Sequence, residues 1–81
     1  MRVTFVFDNV EGMDIIYSEV EWPFPMLPSN GDLIGVEILT GISEEERNAI
    51  DNQSANHVNF VSWHREEGKG IAPNIYCDKG R

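Results

Sequence analysis

The segment Leu27-Pro28-Ser29-Asn30-Gly31-Asp32-Leu33-Ile34 constrains the fold more than any other part of the chain. Pro28 fixes one φ angle, and Asn30-Gly31 supplies two positions that tolerate positive φ, so the chain reverses here. A strand-like segment lies on each side, which predicts folding by antiparallel strand pairing.

Alternation of apolar and polar residues places the strands. In Arg2–Asp8, Val3, Phe5 and Phe7 share one face, with Val6 as the exception. Asn9-Val10-Glu11-Gly12 reads as a turn, and Asp14–Trp22 as a second strand with Ile16, Val20 and Trp22 in phase and Ser18 interrupting that face. The two are close enough to form a hairpin. Pro23, Pro25 and Pro28 then exclude residues 23–28 from any sheet, because each lacks an N–H donor. Asp32–Thr40 reads as a third strand, with Ile34, Val36 and Ile38 on one face and a bend at Gly35.

Ser43 followed by Glu46 is a capping-box pattern, and Glu44, Glu45 and Glu46 suit the positive end of a helix dipole. A short helix is expected over about 44–53, with Ala49 and Ile50 as its core contacts. Asn56–Arg65 is a fourth strand of mixed phase, which means burial on both faces or a bulge. Residues 67–70 read as a turn, Ile71–Cys77 as a last strand with Pro73 marking an edge or bulge, and 78–81 as a polar tail.

The expected class is therefore mainly β: a small, strongly bent antiparallel sheet of about five strands, with one short helix inserted between strands 3 and 4. An SH3-like barrel is the expected closed form. The alternative is an open α+β antiparallel sheet with the helix on one face. Residues 1–81 read as a single small β-rich domain. A chain this short buries only about 60–65% of its unfolded surface. A shallow groove or a shared subunit interface is then easier to build than a deep pocket.

Charge narrows the partners. The formal net charge is −8, and it is uneven: residues 1–46 hold ten acids against one base, and residues 47–81 hold four acids against five bases. Such a field repels phosphate backbones and anionic lipid, so neither direct nucleic-acid binding nor membrane binding is expected. The candidate acidic surface comprises Glu19, Glu21, Glu44 and Glu45. It would suit a basic protein, although an acidic solvated face needs no partner. With Cys77 as the single cysteine, no intramolecular disulfide forms. The strand pattern starts at Met1-Arg2-Val3, and no apolar stretch approaches the ~20 residues of a membrane span. A cytoplasmic protein is expected.

Chemistry-bearing patterns are sparse. His57 and His64 are spaced to lie on opposite faces of a regular strand, and no Cys-x-x-Cys or His-x-x-x-His pair exists. Neither a metal nor a cofactor is expected. A Cys77–His pair would need an electropositive setting, against the charge balance, and Cys77 is in phase with Ile71 and Ile75 as a buried apolar residue would be. Gly68-Lys69-Gly70 is a turn rather than a phosphate cradle.

The stretch Trp22-Pro23-Phe24-Pro25-Met26-Leu27 is the best candidate for function. Exposed, Phe24 and Met26 would offer a patch to a protein partner or a second subunit; folded over a barrel end, they would be core. The small size of the domain favours core. Trp22, Trp63 and Tyr76 could also line an aromatic groove for a basic, proline-containing peptide.

The chain thus reads as a non-catalytic protein-interaction or oligomerisation module that uses residues 22–28. The alternatives are an acidic decoy for a basic protein surface, and a small ligand-binding or enzymatic domain using His57, His64 and Cys77. The sequence identifies no small-molecule ligand.

Overall fold

The structure is a computed structural model that describes residues 1–53, 55–68 and 70–79. Among these residues, four strands form one sheet: β1 (Arg2–Phe7), β2 (Ile16–Glu21), β3 (Asn56–Glu66) and β4 (Gly70–Lys79), in the order β2-β1-β4-β3. β1 with β2 and β3 with β4 are antiparallel pairs, and the central pair, β1 with β4, is parallel. A parallel pair demands a long crossover. Residues 22–55 provide it, passing from one edge strand to the other and carrying a 3-10 helix (Val36–Ile38) and helix α1 (Glu44–Asp51).

The sheet is open and mixed, with β2 and β3 at its edges, and not closed into a barrel. The expected third strand is what is missing. Across Asp32–Thr40 only Leu33 makes a bridge, to His57, before the chain turns into the 3-10 helix. Arg47 on α1 donates to the carbonyls of Val36 and Leu39, and the Leu39 amide also donates to Val36, so acceptors that a neighbouring strand would satisfy are satisfied by a side chain and by the 3-10 turn itself. Apart from Leu33, the apolar residues of this run cover the sheet instead of extending it: Ile34 and Leu39 are buried, and Val36 and Ile38 pack against the core.

The other elements follow their sequence signals. Val3, Phe5 and Phe7 on β1, Ile16 and Val20 on β2, Val58 on β3 and Ile75 and Cys77 on β4 are buried on the covered face. Register confirms the face: Phe5 lies opposite Ser18 and Ile75, and Phe7 opposite Ile16 and Cys77. Ser43 caps α1 in a complete capping box with Glu46, and Ile50 is fully buried. A register shift between Val58 and Phe60 is the bulge that explains the mixed phase of β3. It leaves Val58, Val61 and Trp63 on the covered face and turns Phe60 to the open one, stacked on Tyr76 at 4.5 Å.

Pro73 is not at a sheet edge. β4 has neighbours on both sides, but its ladder with β1 begins only at Asn74. A residue without an N–H fits where one of the two ladders has not started. Lys69 of the expected turn and Gly80 and Arg81 of the expected tail lie outside the described residues.

The two edges are finished differently. On β2, the buried Ser18 hydroxyl donates to the Thr40 carbonyl at 2.8 Å and accepts from the Thr40 amide at 3.0 Å, while Thr40 Oγ1 donates to the Glu19 carbonyl. On β3, residues 31–34 cover only the first three residues of the strand, Asn56 to Val58. The amides of Gly31 and Ile34 donate to the carbonyls of Val58 and Asn56, and Val58 donates to Asp32.

Candidate functional site

Trp22 fixes the start of the crossover. Its backbone amide donates to the Met1 carbonyl, and its indole Nε1 donates to the Met26 carbonyl at 2.8 Å. Its ring meets Phe5 edge-on at 5.9 Å and Phe24 at 5.6 Å. Trp22 is thus half-buried and belongs partly to the core, as does Leu27, and Pro28 is buried. The loop between them is closed on itself and stiffened by Pro23 and Pro25, and it pushes its large side chains outward. Phe24 is 62% exposed and Met26 78%. The core reading of these two side chains fails because the open sheet has no barrel end for them to close.

The second wall comes from the segment expected to be a strand. Gly31 has a φ of 92°, the left-handed region that glycine tolerates, and turns the chain so that Ile34 is buried while Leu33 stands 73% exposed. Asp32 accepts from the Ser29 amide at 2.8 Å and holds that turn. Gly35 leaves room for the Glu37 carboxylate, which occupies the space a Cβ would take. Between the walls lies a shallow groove of about 610 Å³ lined by Trp22, Phe24, Met26, Leu27, Leu33, Ile34 and Ile38, with Asp32 and Glu37 as its charged members. Neither acid has an ion-pair partner among the described residues. Leu33, Asp32 and Glu37 were not apparent from the sequence as site residues. Leu33 was legible only as the out-of-phase neighbour of Ile34.

The expected aromatic trio is not assembled. Trp63 lies opposite Pro73 on the covered face, 56% exposed at the uncovered end, whereas Tyr76 lies beside Val6 and Phe60 on the open face. The acidic candidates also divide. Glu19 and Glu21 stand on the open face of β2, Glu19 3.8 Å from Arg2 and Glu21 3.4 Å from the N-terminal amine. Glu44 and Glu45 are exposed in the first turn of α1, where the helix dipole favours carboxylates.

His57, His64 and Cys77 do not converge. The bulge brings both histidines to the open face, opposite Asp78 and Ala72, but about 20 Å apart along the strand. Cys77 is buried on the other face, where burial, reinforced by the nearby Asp8 carboxylate, pushes its thiol up to about 12. At neutral pH it is a thiol rather than a nucleophilic thiolate. Among the described residues, no three His, Cys, Asp or Glu side chains are grouped to hold a metal, and no helix is long and apolar enough to cross a membrane.

Comparison with known proteins finds no matching family model, no matching curated protein and no matching solved structure.

Proposed function

We propose that this protein is a non-catalytic interaction module whose groove between residues 22–28 and 32–38 receives a short apolar segment of another protein carrying a lysine or arginine. The observation behind this reading is the side-by-side exposure of Phe24, Met26 and Leu33 around a groove that also holds Asp32 and Glu37. Exposed apolar side chains grouped in this way are characteristic of partner surfaces. Their burial would supply affinity, while the Asp32 and Glu37 carboxylates would select a basic flank and repel an acidic one.

The test is a displayed library of short peptides, selected on the immobilised full chain. The expected winners combine one or two large apolar residues with a base. The variant Phe24→Ser/Met26→Ser should keep the wild-type circular dichroism spectrum and lose the selected peptides. Glu37→Gln should weaken binding of basic peptides and flatten its salt dependence. Selection of the same peptides by the folded double variant would refute the proposal. Binding that depended on salt alone, and not on Phe24 and Met26, would favour the acidic-decoy alternative.

A further inference from the structure

The outer edge of β3 is bare over the run that follows its bulge. Residues 31–34 cover it only as far as Val58, and from Phe60 to Glu66 no backbone bond to another segment occurs on that side among the described residues. The opposite edge strand, β2, is only six residues long, and Thr40 bonds its Glu19 carbonyl and the Ser18 side chain. Edge strands that stay alone are normally short, interrupted by proline or bulged. β3 is the longest strand of the sheet, contains no proline, and has its bulge before the bare run rather than within it.

We infer that two copies of this chain pair through this edge, β3 against β3, in a two-fold antiparallel arrangement. The surface is separate from the groove and does not depend on its reading. Three observations select a second copy as the occupant. The bare run is delimited by the bridging segment at one end and the turn after Glu66 at the other, and its midpoint is Trp63. Pairing the whole run with itself therefore brings Trp63 of one copy against Trp63 of the other, on the same face, and covers a side chain that is otherwise half exposed. Charge permits the approach: Asn56–Glu66 carries one base, Arg65, and one acid, Glu66, whereas the chain as a whole carries −8. This edge is a place where two strongly acidic chains can meet with little local like-charge repulsion.

The experiment is light scattering after size exclusion across a concentration series, with amide hydrogen exchange on the same samples. The expected result is a particle of twice the chain mass, with exchange at residues 60–65 slowed at least tenfold as concentration rises. Trp63→Lys should return a folded monomer, and Phe24→Ser/Met26→Ser should remain a dimer. A wild type that stays monomeric up to about 1 mM overturns the inference. So does a dimer whose 60–65 amides ignore concentration, or one that Trp63→Lys leaves intact. If Trp63→Lys does not fold, the wild-type exchange measurement alone decides.

Discussion

Arg47 and Val36 are joined by a hydrogen bond from the guanidinium Nη1 to the carbonyl oxygen at 2.8 Å, and the second fork nitrogen of Arg47 reaches the Leu39 carbonyl at 3.1 Å. One side chain thereby ties α1 to the 3-10 helix and fixes the segment that carries Ile38 and Glu37 into the groove. Bonds from a charged donor to carbonyls contribute more than neutral ones, and removal deprives the part-buried Leu39 carbonyl of this donor, while Val36 keeps its bond from the Leu39 amide. Arg47→Ala should cost about 2–3 kcal/mol and lower Tm by on the order of 10 °C, read by thermal circular dichroism. Arg47→Lys should recover less than half, since an ammonium cannot span both carbonyls.

That contact also shows where the sequence stops being informative. The alternation in Val3-Thr4-Phe5 and in Ile16 to Val20 reports directly on a sheet with one covered face, and Ser43 with Glu46 reports on a helix start; all of these depend on near neighbours. Ile34, Val36 and Ile38 alternate in the same way but lie in a covering segment, where an arginine eleven residues on from Val36 binds the carbonyls of Val36 and Leu39. Pairing of Phe5 with Ile75 is a choice between distant strands, and nothing local to either encodes its parallel sense. The candidate site was half legible: Phe24 and Met26 stood out beside their prolines, whereas Leu33 and Glu37 join them only through the tertiary path of the crossover.

The helix cap gives a prediction of known size. Ser43 Oγ accepts from the Glu46 amide at 3.0 Å, and the Glu46 carboxylate accepts from the Ser43 amide at 2.9 Å. Ser43→Ala should lower the urea midpoint by the equivalent of about 1 kcal/mol, with the denaturant slope unchanged. Ser43→Asp should retain most of the stability, since it keeps an acceptor at the N-cap. Equal losses in the two variants would mean that the hydroxyl acts by packing rather than by capping.

Ser18 occupies a fully buried position where the strand pattern calls for an apolar residue, and its hydroxyl satisfies both backbone groups of Thr40. Ser18→Ala would leave that pair without a partner and unclip the crossover from the β2 edge. A loss of about 1–3 kcal/mol is expected, together with faster amide exchange at Thr40 than at the centre of β1. Unchanged exchange at Thr40 would count against the clip.

Cys77 offers a pH signature. Its thiol is raised from 9.0 to about 12 in the folded chain, chiefly by burial and secondarily by Asp8. Below pH 9 both the folded and unfolded chains keep the proton, so this group makes stability no more pH-dependent. Between pH 9 and about 12 the unfolded chain loses the proton first and therefore binds fewer protons than the folded one. Stability must then fall as pH rises, by at most ~1.4 kcal/mol per pH unit from this group. The quantity that isolates this group is the stability of wild type minus that of Cys77→Ala, obtained from urea unfolding at each pH. That difference should be flat from pH 6 to about 8.5 and decline above pH 9. The same burial should keep Cys77 unreactive toward a thiol-specific disulfide reagent until urea unfolds the chain. A difference that stayed flat through pH 11, or rapid labelling of the native protein, would mean that water reaches the sulfur and that β4 is not closed over it.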